Sequence, residues 1–148
     1  MPELFFEDFG AGQVVELGSH TVTAGEIVAF ARQWDPQSFH VDEEAARDSV
    51  FGGLIASGWH TASLWMRLYV DSLLGSTASQ GSPGIEELRW LAPVRPGDTL
   101  TGKVTVLETT PSERRPGRGT VRIRGEMVNG DGVVVLSMLS RGHFGRRP

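Results

Sequence analysis

Cysteine is absent from all 148 residues, which removes disulfides, thiolate metal sites and a cysteine nucleophile together. Neither sign of charge dominates: 14 Lys and Arg stand against 18 Asp and Glu, a formal net charge of −4. The basic residues are scattered, so nucleic acid is not an expected partner. The one basic cluster, Arg114-Arg115-Pro116-Gly117-Arg118, sits on turn-forming residues and reads as an exposed loop with too few charges to build a groove. No apolar run reaches the ~20 residues that cross a bilayer, so a membrane is not expected either. The segment Met1–Phe9 lacks the basic flank and apolar core of a secretory signal, and the expected location is cytoplasmic. Internal repeats, low-complexity stretches, the Gly-x-Ser-x-Gly pattern of serine hydrolases and a glycine-rich phosphate loop are all missing. What is left is an ordinary globular composition, 39% hydrophobic and 22% charged, at a length that suits one domain over residues 1–148.

The first strand candidate is Val14–Val22. Thr23-Ala24-Gly25-Glu26 then has the Ser/Thr-x-x-Glu form of a capping box, followed by Ile27, Phe30, Ala31 and Trp34 on one helical stripe. Pro36 disfavours helical geometry at Asp35 and should release the chain there into a loop. Asp42 suits the N-cap of a short second helix, with Glu43 and Glu44 at the positive end of its dipole. A longer helix should start with Ser57 as cap and Gly58 as first residue and stop near Gly75. Its apolar residues, from Ala62 through Trp65 and Tyr69 to Leu74, cover most of the circumference, which predicts a buried helix. Trp34 and Trp65 are expected in the core. Four strands follow: Ile85–Leu91, a stretch through Leu100 and Val106, another through Val121 and Met127, and Val133–Leu139 after the turn Asn129-Gly130-Asp131-Gly132. This order calls for an α+β fold, an antiparallel sheet of five or more strands wrapped round one long central helix.

The chemically suggestive segment is Trp34–Ala46, in which Asp35 and His40 stand five residues apart, followed by Leu54-Ile55-Ala56-Ser57-Gly58 at the start of the long helix. An acid and an imidazole sharing one water, with a free backbone N–H at a helix N-terminus, suit the addition of water to an activated double bond. Both features resemble the MaoC-like dehydratases, which include the (R)-specific enoyl-CoA hydratases and have the hot-dog fold. Asp35, His40, Asp42 and Ala45-Ala46 match the spacing of that family's loop motif, and residues 54–58 match its apolar-glycine stretch. The chain departs from the pattern at Gln37-Ser38, where the family has Asn-Pro, and at Ser57, where a histidine often precedes the glycine.

The resemblance implies a hydro-lyase that interconverts a 2-enoyl thioester and a 3-hydroxyacyl thioester. Its carrier would be coenzyme A or acyl carrier protein. Asp35 and His40 would act as acid/base catalysts, and Gly58 and Ser57 would lie at the oxyanion and substrate-binding position. One sheet round one helix leaves an edge strand and an apolar flank uncovered, so a homodimer, or a dimer of dimers, is expected, and the resemblance adds active sites near the interface. No cofactor is expected, and no metal: Asp42, Glu43 and Glu44 suit a solvated helix start better than a ligand set, and no second histidine lies at a useful spacing. His20, His60 and His143 are expected to be surface or packing residues. The competing expectations are a hot-dog thioesterase, disfavoured because the front of the long helix carries no acid, and a non-catalytic subunit that binds acyl thioesters.

Overall fold

The computed structural model describes residues 1–148. Strand β1 (Val14–Thr21) leads into α1 (Ala24–Trp34), two short helices α2 (Ser38–Val41) and α3 (Glu43–Arg47), and the long α4 (Gly58–Ser72). Strands β2 (Gly84–Trp90), β3 (Thr99–Pro111), β4 (Arg118–Val128) and β5 (Val134–Gly145) complete the chain. All five strands join one sheet in the order β1-β3-β4-β5-β2, with every neighbouring pair antiparallel. With α4 across one face of that sheet, this is the hot-dog arrangement.

Alternation along the strands decides which face the helix covers. On β4, Val121, Ile123 and Met127 point to the core while Arg122, Arg124 and Glu126 point away, as the period of two demands. The space between helix and sheet is filled by Trp65, which is 1% exposed. Its indole lies so close to β4 that a Cβ at Gly125 would stand 2.7 Å from Cε2 and 3.0 Å from Cη2. A glycine at that inward position therefore lets the helix approach the sheet. The caps are those the sequence predicts: Thr23 and Glu26 form a reciprocal capping box on α1, and Asp42 accepts from the N–H groups of Glu44 and Ala45 at the start of α3.

Four expectations change. His40 does not lie in a loop but in the single turn of α2, and Asp35 is the residue that caps the C-terminus of α1. Trp34 is 67% exposed and not part of the core. Seven residues bring it back to the azimuth of Ile27 but carry it about 10 Å further along the axis, beyond the buried pair Ile27 and Ala31. The long helix is buried on one face only. Trp65 and Tyr69 face the core, whereas Trp59, Met66 and Val70 are 56%, 44% and 39% exposed. Finally, α4 ends at Ser72 and Gly75 falls in a following 3-10 turn, Leu74–Ser76.

Candidate active site

The C-terminus of α1, the turn α2 and the N-terminus of α4 meet around a cavity of about 450 Å³. Asp35, His40 and Gly58 all line it, among mainly apolar walls that include Phe39, Phe51 and Trp90. The chain between α3 and α4 is stitched in place on both sides. Ile55 N–H donates to the Phe39 carbonyl at 3.2 Å, and Ala56 N–H donates to that of Val94 at 2.9 Å. This pinning brings Ser57 up against Asp35 and Gly58 to the wall of the same cavity.

His40 is 4% exposed. Its Nδ1 lies 2.7 Å from the Ile55 carbonyl oxygen, which can only accept, so Nδ1 carries the proton. In the neutral ring Nε2 is then the lone-pair nitrogen, and it stands 3.3 Å from Asp35 Oδ2. The same Oδ2 accepts from Ser57 Oγ at 2.7 Å, and Oδ1 accepts from Gln37 Nε2 at 2.8 Å. Partial burial opposes ionisation of Asp35. The hydrogen bonds from Ser57 and Gln37, joined by the field of His40 when its ring is protonated, outweigh it and hold the carboxyl below its usual range.

Ser57 is fully buried. Its hydroxyl oxygen also accepts from Trp59 N–H at 3.3 Å, so this one side chain caps α4 and orients Asp35. Gly58 is the first residue of α4, and its N–H has no protein acceptor. The glycine also serves packing: a Cβ there would lie 2.5 Å from Nε1 and 2.7 Å from Cδ2 of Trp90. Trp90 Nε1 donates to the Gly58 carbonyl at 2.7 Å, and its ring meets Trp59 edge-on at 5.1 Å.

Sequence reasoning missed three parts of the site. Trp90 comes from the end of a distant strand, and nothing local ties it to residue 58. The Ile55 carbonyl that sets the His40 tautomer is backbone and leaves no mark in side-chain patterns. Gln37 stands out only as a departure from Asn, yet its amide does reach Asp35. The other histidines lie away from the pair. His60 is buried and stacks on Phe30 with ring centroids 4.8 Å apart, His20 bonds Glu26, and His143 is on the outer face of the sheet. Asp42 is committed to capping α3.

With this geometry in place, comparison with known proteins gives a consistent result. The family model described as MaoC like domain matches residues 8–127. The chain belongs to the MaoC-like family. A crystal structure of the MaoC-like dehydratase from Rhodospirillum rubrum is 46% identical and superposes with a TM-score of 0.88 over 98% of this chain and 99% of that one. The (R)-specific enoyl-CoA hydratase of Rhodospirillum rubrum is 34% identical over 114 residues, 74% of each chain. For the fold alone, a Mycobacterium tuberculosis protein described as a double hotdog fold gives a TM-score of 0.82 at 16% identity, over 97% of this chain and 44% of that one. No helix of this MaoC-like chain is long and apolar enough to cross a membrane.

Proposed function

We propose that this protein is a hydro-lyase that reversibly adds water to a 2-enoyl thioester. The carrier is coenzyme A or acyl carrier protein. The observation that carries the reading is the Asp35–His40 pair, 3.3 Å apart with the imidazole tautomer fixed from behind, at the wall of a mainly apolar cavity. The similarity to an (R)-specific enoyl-CoA hydratase supports it.

Water held beside Asp35 Oδ2 and His40 Nε2, within reach of both, attacks the β-carbon, and the C–O bond forms as an O–H bond breaks toward the pair. The electrons of the C=C bond move onto the thioester oxygen, where the free N–H of Gly58 opposes the developing negative charge. The same proton then passes to the α-carbon, so the elements of one water are added across the double bond. Ser57, being buried, is a positioning residue that acts through Asp35. The apolar stripe Trp59, Met66 and Val70, together with exposed Ile85 and Trp90 on edge strand β2, fits a second copy of the chain. Light scattering is expected to give a dimer or tetramer, and a stable monomer of 16.1 kDa would refute that assembly.

A panel of 2-enoyl-CoA substrates, followed for both loss of the conjugated double bond and release of free thiol, tests the reaction. Hydration without thiol release supports the hydro-lyase. Thiol release makes the protein a thioesterase, and saturable binding without turnover makes it an acyl-thioester binding subunit.

A further inference from the structure

The face of the sheet turned away from α4 carries a second cavity, of about 410 Å³, that shares no residue with the cleft around Asp35. No hydrophobic side chain lines it. Arg118 and Arg122 reach it from β4 and Arg141 and His143 from β5, with Glu108 of β3 as the carboxylate in its wall. Arg118, the last residue of the loop cluster, thus gains partners from distant strands that the cluster's own sequence does not reveal.

The charges in this cavity are not balanced. Arg122 and Arg141 stand directly opposite each other on neighbouring strands, a placement that sets like charges side by side. Both depend on one carboxylate outside the cavity wall: Glu86 accepts from Arg122 Nη2 at 2.9 Å and from Arg141 Nε at 2.8 Å. Arg118 forms no ion pair, and its Nε is buried without an acceptor. His143 Nδ1 is 3.0 Å from Thr120 Oγ1. Burial, and then the neighbouring Arg118 and Arg115, hold its imidazole below the usual range, as expected where positive charge is in excess.

We propose that this cavity is a binding site for a phosphate group, separate from the Asp35–His40 cleft. Guanidinium groups match phosphate oxygens in forked pairs, and an anion seated here supplies the acceptor that Arg118 Nε lacks while relieving the Arg122–Arg141 opposition. Its source is either free inorganic phosphate or diphosphate, or the diphosphate of a nucleotide. The site is independent of the hydro-lyase reading, since neither depends on a residue of the other.

The test is to titrate the full chain with orthophosphate, pyrophosphate and adenosine diphosphate at ionic strength held constant with chloride. The His143 imidazole resonance is followed by NMR and assigned with His143→Gln. Calorimetry on the unaltered protein measures the same binding without any variant. A saturable response is expected, with the His143 pKa rising on binding because the anion stabilises the imidazolium. Affinity should therefore strengthen as pH falls through that range, with Arg115, Arg118, Arg122, Arg141 and Glu108 as the charges around the ring. Arg118→Gln and Arg141→Gln should each weaken binding about tenfold or more. Tighter binding of adenosine diphosphate than of pyrophosphate points to a nucleotide source, and the reverse order to a free inorganic one; both support a phosphate site. No saturable response to any of the three, or undiminished affinity in Arg118→Gln, overturns it.

Discussion

Gly58→Ala adds a single methyl at a position where Trp90 leaves no room. The new Cβ would lie 2.5 Å from Nε1 and 2.7 Å from Cδ2 of the indole, about 1 Å inside ordinary carbon contact. The ring must swing away and give up its bond to the Gly58 carbonyl, or the start of α4 must shift and pull Ser57 from Asp35. Overpacking costs ~1–3 kcal/mol and the lost hydrogen bond ~0.5–1.5 kcal/mol. Replacing a helical glycine returns ~0.5–1 kcal/mol. The net is a destabilisation of about 2 kcal/mol, which at this chain length lowers Tm by roughly 4–8 °C.

Urea unfolding followed by circular dichroism, on the parent chain, Gly58→Ala, Trp90→Leu and the double variant, isolates the contact. With the indole removed the methyl has space, so the alanine penalty should vanish in the Trp90→Leu background, a coupling of about 2 kcal/mol. Alanine keeps its backbone N–H, so turnover of the double variant should match that of Trp90→Leu alone. An equal penalty in both backgrounds, or none in the parent, would show that the indole is not what requires glycine here.

Ser57→Ala removes both a donor to an ionised carboxylate, worth ~1.5–3 kcal/mol, and a helix cap worth ~1 kcal/mol; a loss of at least ~2 kcal/mol in urea unfolding is expected. Asp35 is held below its usual range, so its contribution to stability is present above the unfolded value near 3.9 and lost as pH falls through the lower folded value. Ser57→Ala should flatten that acid-side loss, and unfolding midpoints measured between about pH 2 and 6 check it. Tyr69 is the single tyrosine and burial pushes its phenol up to about 12, so stability should fall as pH rises from ~10 toward that value. Phenolate absorbance with a midpoint near 10 while the circular dichroism remains native would contradict it.

Periodicity and caps carried most of the fold. Thr23, Asp42 and Ser57 mark helix starts through chemistry confined to a few residues, and alternation on β3 and β4 sorts core from solvent one residue at a time. Trp34 and the outer stripe of α4 depart from expectation for one reason: azimuth on a helix can be read from sequence, but what stands opposite cannot. The Asp35–His40 spacing was visible because both residues lie in one short segment. Trp90, the Ile55 carbonyl and the arginines around His143 depend on strand register and on chain crossings from distant positions, which a linear pattern does not encode.

The state of the Asp35–His40 pair decides how its variants should behave. With Nδ1–H committed to Ile55, a neutral His40 turns a lone pair toward an ionised oxygen, so two acceptors face each other and one proton is missing between them. In the proposed mechanism a bound water supplies that proton to either group, and Asp35 stabilises the imidazolium if the ring takes it. Asp35→Asn preserves shape but allows an amide N–H to occupy His40 Nε2, which removes the base as well as the charge. It should therefore lower hydration as severely as His40→Ala, each by about a hundredfold or more. If both groups act on one water, as proposed, the double variant should lose little beyond the worse single one. Circular dichroism must show native folding in all three. Independent, multiplying losses would mean that the two residues do not act on a shared proton, and near-normal hydration by folded Asp35→Asn would remove the carboxylate from the mechanism altogether.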